Sequence, residues 1–155
     1  LEIGGSYTWT GSRFLTSFRS AHPQFGSVDA GDSLAYVPEH RGGGSLGLLG
    51  PMGSVELSVF AQGPMRDRAG QGELAEGEGI PAYAVLDLAA ELRLHRHIRL
   101  YATANNLLNT AYISSRRPFG ARPGRPLHVM FGVKIDARGP GPGLIEALAE
   151  RRSRR

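Results

Sequence analysis

The chain has 155 residues and a formal net charge of +4, and its 18 basic residues are all arginine except Lys134. This length is sufficient for one domain with its own core. The sequence contains no cysteine, which excludes a disulfide framework and a thiolate metal site. Its longest apolar runs fall short of the roughly 18 residues that a membrane helix needs.

Alternation of apolar and polar residues predicts six β-strands, because successive side chains of a strand point to opposite faces. The clearest example is the segment 84–94, where Leu86, Leu88 and Leu92 alternate with Asp87 and Glu91. In every predicted strand the charged residues fall on the face opposite the aliphatic ones. The predicted strands are 1–10, 36–49, 54–62, 84–94, 98–104 and 127–135.

The connections between these strands alternate between long and short. Long polar loops are expected at 11–35, 63–81 and 107–126, and short turns at 50–53 and 95–97. Leu48 and Val55 must face the same side of the sheet, because alternate residues of a strand share a face. The turn between the two strands therefore holds two or four residues, with Leu48 opposite Val55.

The same alternation predicts a loop with an odd number of residues at 95–97, which places Leu94 opposite Ile98. That register sets Arg93 opposite Arg99, which is unfavourable for two like charges. The nearby Glu91 and Tyr101 are expected to soften the repulsion.

The segment 105–126, with the strands that flank it, resembles the C-terminal end of TonB-dependent outer-membrane receptors. The matching residues are Asn106-Leu-Leu-Asn109, Tyr112-Ile113, Arg116-Arg-Pro118 and Gly120-Ala-Arg-Pro-Gly-Arg-Pro126. A second match is Gly31-Asp-Ser-Leu-Ala-Tyr-Val-Pro-Glu-His40, and the ordered set extends over about 1–135. The resemblance implies a receptor in the outer membrane of a Gram-negative bacterium that takes up a ferric siderophore or a similar metal chelate.

The same resemblance implies an all-β fold, an antiparallel up-and-down meander of about six strands that forms a segment of a transmembrane β-barrel. This segment is expected at 1–136, followed at 137–155 by a Gly/Pro linker and a short basic helical tail. Six strands leave two unpaired edges, and each unsatisfied backbone group in hydrocarbon costs several kcal/mol. We therefore expect the chain to be the C-terminal part of a larger barrel and to be inactive alone.

The resemblance also implies partners for the intact receptor. These are the chelate, the outer-membrane lipid with its lipopolysaccharide, and TonB, which binds through an N-terminal region not found in these residues. A nucleic-acid partner is not expected.

Four arginines of the third long loop are the candidate ligand-binding residues, namely Arg116, Arg117, Arg122 and Arg125. A guanidinium group suits capture of an anionic ferric chelate, because it donates paired, charge-assisted hydrogen bonds. The alternative interpretation is that these arginines bind acidic groups at the barrel rim, or lipopolysaccharide phosphates, and hold the loop in shape.

No catalytic motif is recognised, so an enzyme, a cofactor and a metal site are not expected. His95 and His97 are interpreted as solvated turn residues, and Asp29 and Asp32 as turn formers. Tyr7, Trp9, Tyr101 and Tyr112 are interpreted as interface-girdle or packing aromatics.

Two alternative functions remain open from the sequence. One is a soluble all-β module that binds nucleic acid or another polyanion, and the other is a non-functional receptor remnant.

Overall fold

In a computed structural model, residues 1–22, 25–74, 77–95 and 97–136 are described, and all their regular structure is β. The predicted all-β class is confirmed. The strands are β1 (Glu2–Trp9), β2 (Phe18–Arg19), β3 (Ser27–Val28), β4 (His40–Gly50), β5 (Gly53–Gln62), β6 (Tyr83–His95), β7 (Ile98–Asn105), β8 (Ile113–Ser115), β9 (Arg122–Pro123) and β10 (His128–Ile135).

The six long strands form one antiparallel sheet in the order β1-β4-β5-β6-β7-β10. Successive long strands are therefore neighbours, and the predicted up-and-down meander is confirmed. The four short strands form two ribbons, β2–β3 and β8–β9, which lie within the long loops. Sequence alternation did not predict them, because two or three residues are too few to show a period.

The second long strand begins later than predicted, at His40 rather than Tyr36. Tyr36 has φ 60°, a left-handed conformation that a strand does not accept. Residues 36–39 therefore belong to the first long loop.

The turn between β4 and β5 has the predicted pairing. Gly50 pairs with Gly53 and Leu48 with Val55, so the turn consists of Pro51 and Met52. The predicted even number of turn residues is confirmed.

The turn between β6 and β7 differs from the prediction in its length and in its pairing, since two residues, and not an odd number, separate the paired ends His95 and Ile98. Arg93 faces Arg99 as expected, but Ile98 pairs with His95, and Leu94 is the extra residue of a β-bulge. The prediction that Leu94 faces Ile98 was wrong, because a bulge places two residues opposite one and breaks strict parity. Glu91, one of the two residues expected to soften the repulsion between the arginines, accepts a hydrogen bond from Arg99 at 3.2 Å.

The sheet has two faces of contrasting chemistry, which we call the aliphatic face and the polar face. Strand pairing places one row of apolar residues across the whole aliphatic face, and the row is Ile3, Leu46, Leu57, Leu88, Ala104 and Val129. The polar face includes the charged residues Glu56, Asp87, Glu91, Arg93, Arg99 and Lys134.

No described element covers the aliphatic face. Ile3 is 73% exposed and Phe131 is 78% exposed. The buried apolar residues are instead Val28, Met65 and Ile80, which lie in or beside the long loops. Among the described residues, no helix is long and apolar enough to cross a bilayer. The expected linker and helical tail at 137–155 lie outside the described residues.

Candidate functional site

The three long loops, at 10–39, 63–82 and 106–127, leave the sheet at the same end and contact one another. We call this end the loop end. The first and second loops are joined by backbone bridges, with Ser33 donating from its N–H to the carbonyl oxygen of Gly70 at 2.9 Å. Tyr36 donates in the same way to Arg66 at 2.8 Å.

Tyr36 also connects these two loops to the third. Its side-chain hydroxyl oxygen accepts hydrogen bonds from the backbone N–H of Arg117 at 2.9 Å and from that of Arg116 at 3.3 Å. Tyr36 is therefore a junction of all three loops. The sequence did not reveal this role, because about 80 residues separate the partners.

Two of the four predicted arginines are engaged within the protein. The Nε of Arg117 lies 3.2 Å from the Oδ2 of the buried Asp67, as an ion pair without hydrogen-bond alignment. The Nε of Arg116 donates to the carbonyl oxygen of Gly79 in the second loop. Both guanidinium groups are half-buried, and both hold the third loop against the second.

The other two arginines, Arg122 and Arg125, are exposed. The guanidinium of Arg122 lies 5.8 Å from the ring centre of Phe119, its own loop neighbour. Arg125 borders a cavity of about 180 Å³ that Asp87 and Tyr112 also line. The four arginines thus form two pairs with different surroundings.

Asn106 anchors the base of the third loop. It has φ 51°, which asparagine tolerates better than most residues. Its side-chain amide donates to the carbonyl oxygens of Thr110 and Arg125, both at 2.9 Å, and its Oδ1 accepts from the N–H of Thr110 at 2.8 Å. Its own N–H donates to Asp87 of β6 at 2.7 Å.

A stack of aromatic rings fastens the third loop to the polar face. The rings of Tyr83 and Tyr112 are 4.2 Å apart and nearly parallel, and Phe60 follows at 6.3 Å from Tyr83. Gly124 lies against the other side of Tyr112, where a Cβ would fall about 2.0 Å from the ring. Tyr112 is thus a packing residue, one of the two roles expected for it.

The aspartates interpreted as turn formers contact each other, whereas one of the two histidines interpreted as solvated turn residues contacts a distant part of the chain. Asp32 accepts a hydrogen bond from the N–H of Asp29 at 2.9 Å. The ring of His97 lies 2.8 Å from the carbonyl oxygen of Asp136, and its centre lies 5.6 Å from that of His95. Within the described residues, no three His, Asp or Glu side chains converge on a common point for a metal ion.

Comparison with known sequences decides the family. The model of the family described as "TonB dependent receptor-like, beta-barrel" matches residues 1–107. The chain belongs to this family. Its members are receptors of the Gram-negative outer membrane and not enzymes. A search of curated protein sequences finds no match.

Solved structures support the same fold for this TonB-dependent receptor barrel segment. The siderophore receptor PiuA from Acinetobacter baumannii has a TM-score of 0.65 and 18% identity, over 86% of this chain and 19% of PiuA. BauA, the ferric preacinetobactin receptor from the same organism, has a TM-score of 0.50 and 19% identity, over 68% of this chain and 16% of BauA. The chain thus spans less than a fifth of either receptor.

Proposed function

We propose that the chain forms the C-terminal wall of an outer-membrane receptor that takes up ferric siderophores or similar anionic metal chelates. The observation that supports this most strongly is the uncovered aliphatic face. The 11 residues of β4 and the 13 residues of β6 reach the roughly 9–11 residues that a strand tilted by about 45° needs to cross the apolar band of an outer-membrane barrel. Contact with lipid would therefore shield this apolar face from water.

The two edges of the sheet support the need for further strands. β1 and β10 each have a neighbour on one side only among the described residues. In hydrocarbon, unpaired backbone groups are too costly to remain open. The receptor therefore closes with strands from outside this segment, and its plug and TonB-binding region also lie outside it. Alone, the chain is inactive.

The exposed pair Arg122 and Arg125 is the better candidate for contact with the chelate. Arg116 and Arg117 have partners in the second loop, and their role is to hold the third loop in position. A charge-assisted hydrogen bond contributes about 1.5–3 kcal/mol. Loss of one such bond would weaken binding by roughly tenfold to a hundredfold.

The alternative of a soluble polyanion-binding module receives no support from the sheet. Such a module must bury its aliphatic face against protein. In the described residues that face has no cover, and Phe131 and Ile135 are among its most exposed members.

The proposal is tested first by the DNA that flanks the coding sequence, which should encode a plug and further strands in frame. The complete receptor should then import radioactive iron as a ferric tris-catecholate or tris-hydroxamate chelate into cells that lack other such receptors. We expect the variant R122Q/R125Q to lose chelate affinity while its amount in the outer membrane stays unchanged. Normal uptake after residues 105–126 are replaced by a Gly/Ser linker would contradict a ligand role for this loop.

A further inference from the structure

Three basic residues lie side by side on the polar face at the end of the sheet that the short turns close. Arg93 on β6 pairs with Arg99 on β7, which in turn pairs with Lys134 on β10. We call these three residues the basic row. Arg93 and Lys134 are exposed, and Arg99 is half-buried. None of them was predicted to form a site, and the row lies at the opposite end of the sheet from the third loop and its four arginines.

The basic row has fewer negative partners than positive charges. Glu91 accepts a hydrogen bond from Arg99 at 3.2 Å and lies 3.8 Å from the Nζ of Lys134. The side chain of Arg93 makes no hydrogen bond or ion pair with any described residue. Like charges that face each other on neighbouring strands destabilise a sheet. Such departures from stable pairing are concentrated at functional sites.

The basic row belongs to a larger pattern of charge along the polar face. On the long strands, the described basic residues of this face lie at its two ends, with Arg41 at the loop end. The carboxylates between the two ends are Glu2, Glu56 and Asp87. Asp87 borders the same cavity as Arg125, and it lies roughly 20 Å from Arg93 along β6 at about 3.3 Å per residue. The polar face thus has two separate positive regions, one at each end.

The position of the basic row indicates which anion it meets. In the proposed receptor the polar face lines the pore and the short turns face the periplasm, so the row lies where a chelate leaves the pore. Cations with few counter-charges attract an anion from a distance and bind it through charge-assisted hydrogen bonds. A pore passes an ion efficiently when several sites each bind it weakly enough to release it.

From this placement and charge, we propose that the basic row is an exit site that draws an anionic ferric chelate from the pore toward the periplasm. The inference rests on the proposed function, since only a receptor barrel brings a chelate to the polar face. The exposed arginines of the third loop capture the chelate, and the basic row acts after capture. Substitutions at the two ends should therefore affect different steps of uptake.

The experiment uses the complete receptor in cells that lack other such receptors. The probe is an anionic ferric tris-catecholate chelate that carries radioactive iron. Its affinity is measured in cells without metabolic energy, and its maximal import rate in energised cells. The variant R93Q/K134Q, which keeps Arg99 as the partner of Glu91, should import the chelate roughly tenfold more slowly at saturation. Its affinity should stay unchanged, whereas R122Q/R125Q should lower the affinity.

Two control variants and one further measurement separate a role in import from a role in folding. R93K/K134R keeps every charge of the basic row and should import at the wild-type rate. Arg19→Gln removes a positive charge from the first loop and should also leave the rate unchanged. In detergent, the melting temperature of R93Q/K134Q should equal or exceed that of the wild type, because the substitution removes repulsion between neighbouring strands.

Import at the wild-type rate by R93Q/K134Q would overturn the exit site and leave the proposed function intact. A lower melting temperature of that variant would do the same, since it would show that the row is held by a permanent carboxylate partner such as one on the plug. Import of an uncharged ferric tris-hydroxamate chelate alone would also overturn the exit site only. A wild-type receptor that imports neither chelate would overturn both proposals.

Discussion

At the scale of single residues, Asn106 is the best example of a side chain that shapes a whole loop. It is 3% exposed, and its amide group makes three hydrogen bonds that close the third loop at its base. We expect Asn106→Ala to destabilise the assembled barrel by about 2 kcal/mol, since each buried polar group left unpaired costs about 1–3 kcal/mol.

The measurement is thermal unfolding of the barrel in detergent. Asn109→Ala is the matched control, because Asn109 has a similar φ of 50° but its side chain accepts one hydrogen bond, from Leu127 at 3.0 Å. Equal effects of the two substitutions would show that the Asn106 contacts do not hold the loop.

Tyr36 provides a second prediction at this scale. Tyr36→Phe removes the hydroxyl that accepts hydrogen bonds from Arg116 and Arg117, and the loops should separate more readily. We expect protease to cut the third loop several times faster, with no change in the amount of assembled barrel. Tyr7→Phe also removes a hydroxyl, from an exposed residue on β1, and should leave the cleavage rate unchanged.

The four arginines show what a sequence can predict about a site. Their number and their place on one loop were evident, and so was the choice between ligand contact and loop support. The sequence did not reveal that two of them are engaged with the second loop while the other two are exposed. That difference depends on partners such as Asp67 and Gly79, which the fold brings from another loop.

At the scale of strands, the alternation of side chains gives a direct prediction. Leu88 and Ala89 are neighbours near the middle of β6 and lie on opposite faces of the sheet. A basic residue on the lipid side at mid-membrane costs about 2–4 kcal/mol. We expect Leu88→Arg to lower the yield of folded barrel in lipid bilayers sharply, and Ala89→Arg to have little effect.

The control for this prediction is folding in detergent micelles, where the difference between the two variants should shrink. Equal yields in bilayers would mean that the two faces do not differ in their contact with lipid.

The strands themselves were predicted well from sequence, because an apolar face repeats every second residue and extends over at least seven residues in each. Their ends were predicted less well where local geometry intervenes. The left-handed backbone of Tyr36 keeps residues 36–39 out of β4, and the bulge at Leu94 shifts the end of β6 by one residue. Both features depend on backbone conformations that a hydrophobic pattern does not encode.

At the scale of the whole molecule, the sheet has two different ends as well as two different faces. Two-residue turns close one end, while the loop end holds the buried residues and the contacts of Tyr36 and Asn106. This polarity is the one expected for an outer-membrane wall, with short turns facing the periplasm and long loops facing outside. Sequence periodicity predicted the sheet that forms the wall. The packing between the loops became evident only from the structure.

The central claim is that the aliphatic face meets lipid while the polar face meets water inside a larger pore. Single spin labels are attached to cysteines introduced one at a time at positions 85–92 of β6, in a segment that has no cysteine of its own. In the assembled barrel, we predict that labels at even positions are accessible to oxygen dissolved in lipid, and labels at odd positions to a water-soluble relaxing agent. Labels at even positions that neither agent reaches would place this face in a dry protein interior and contradict the account.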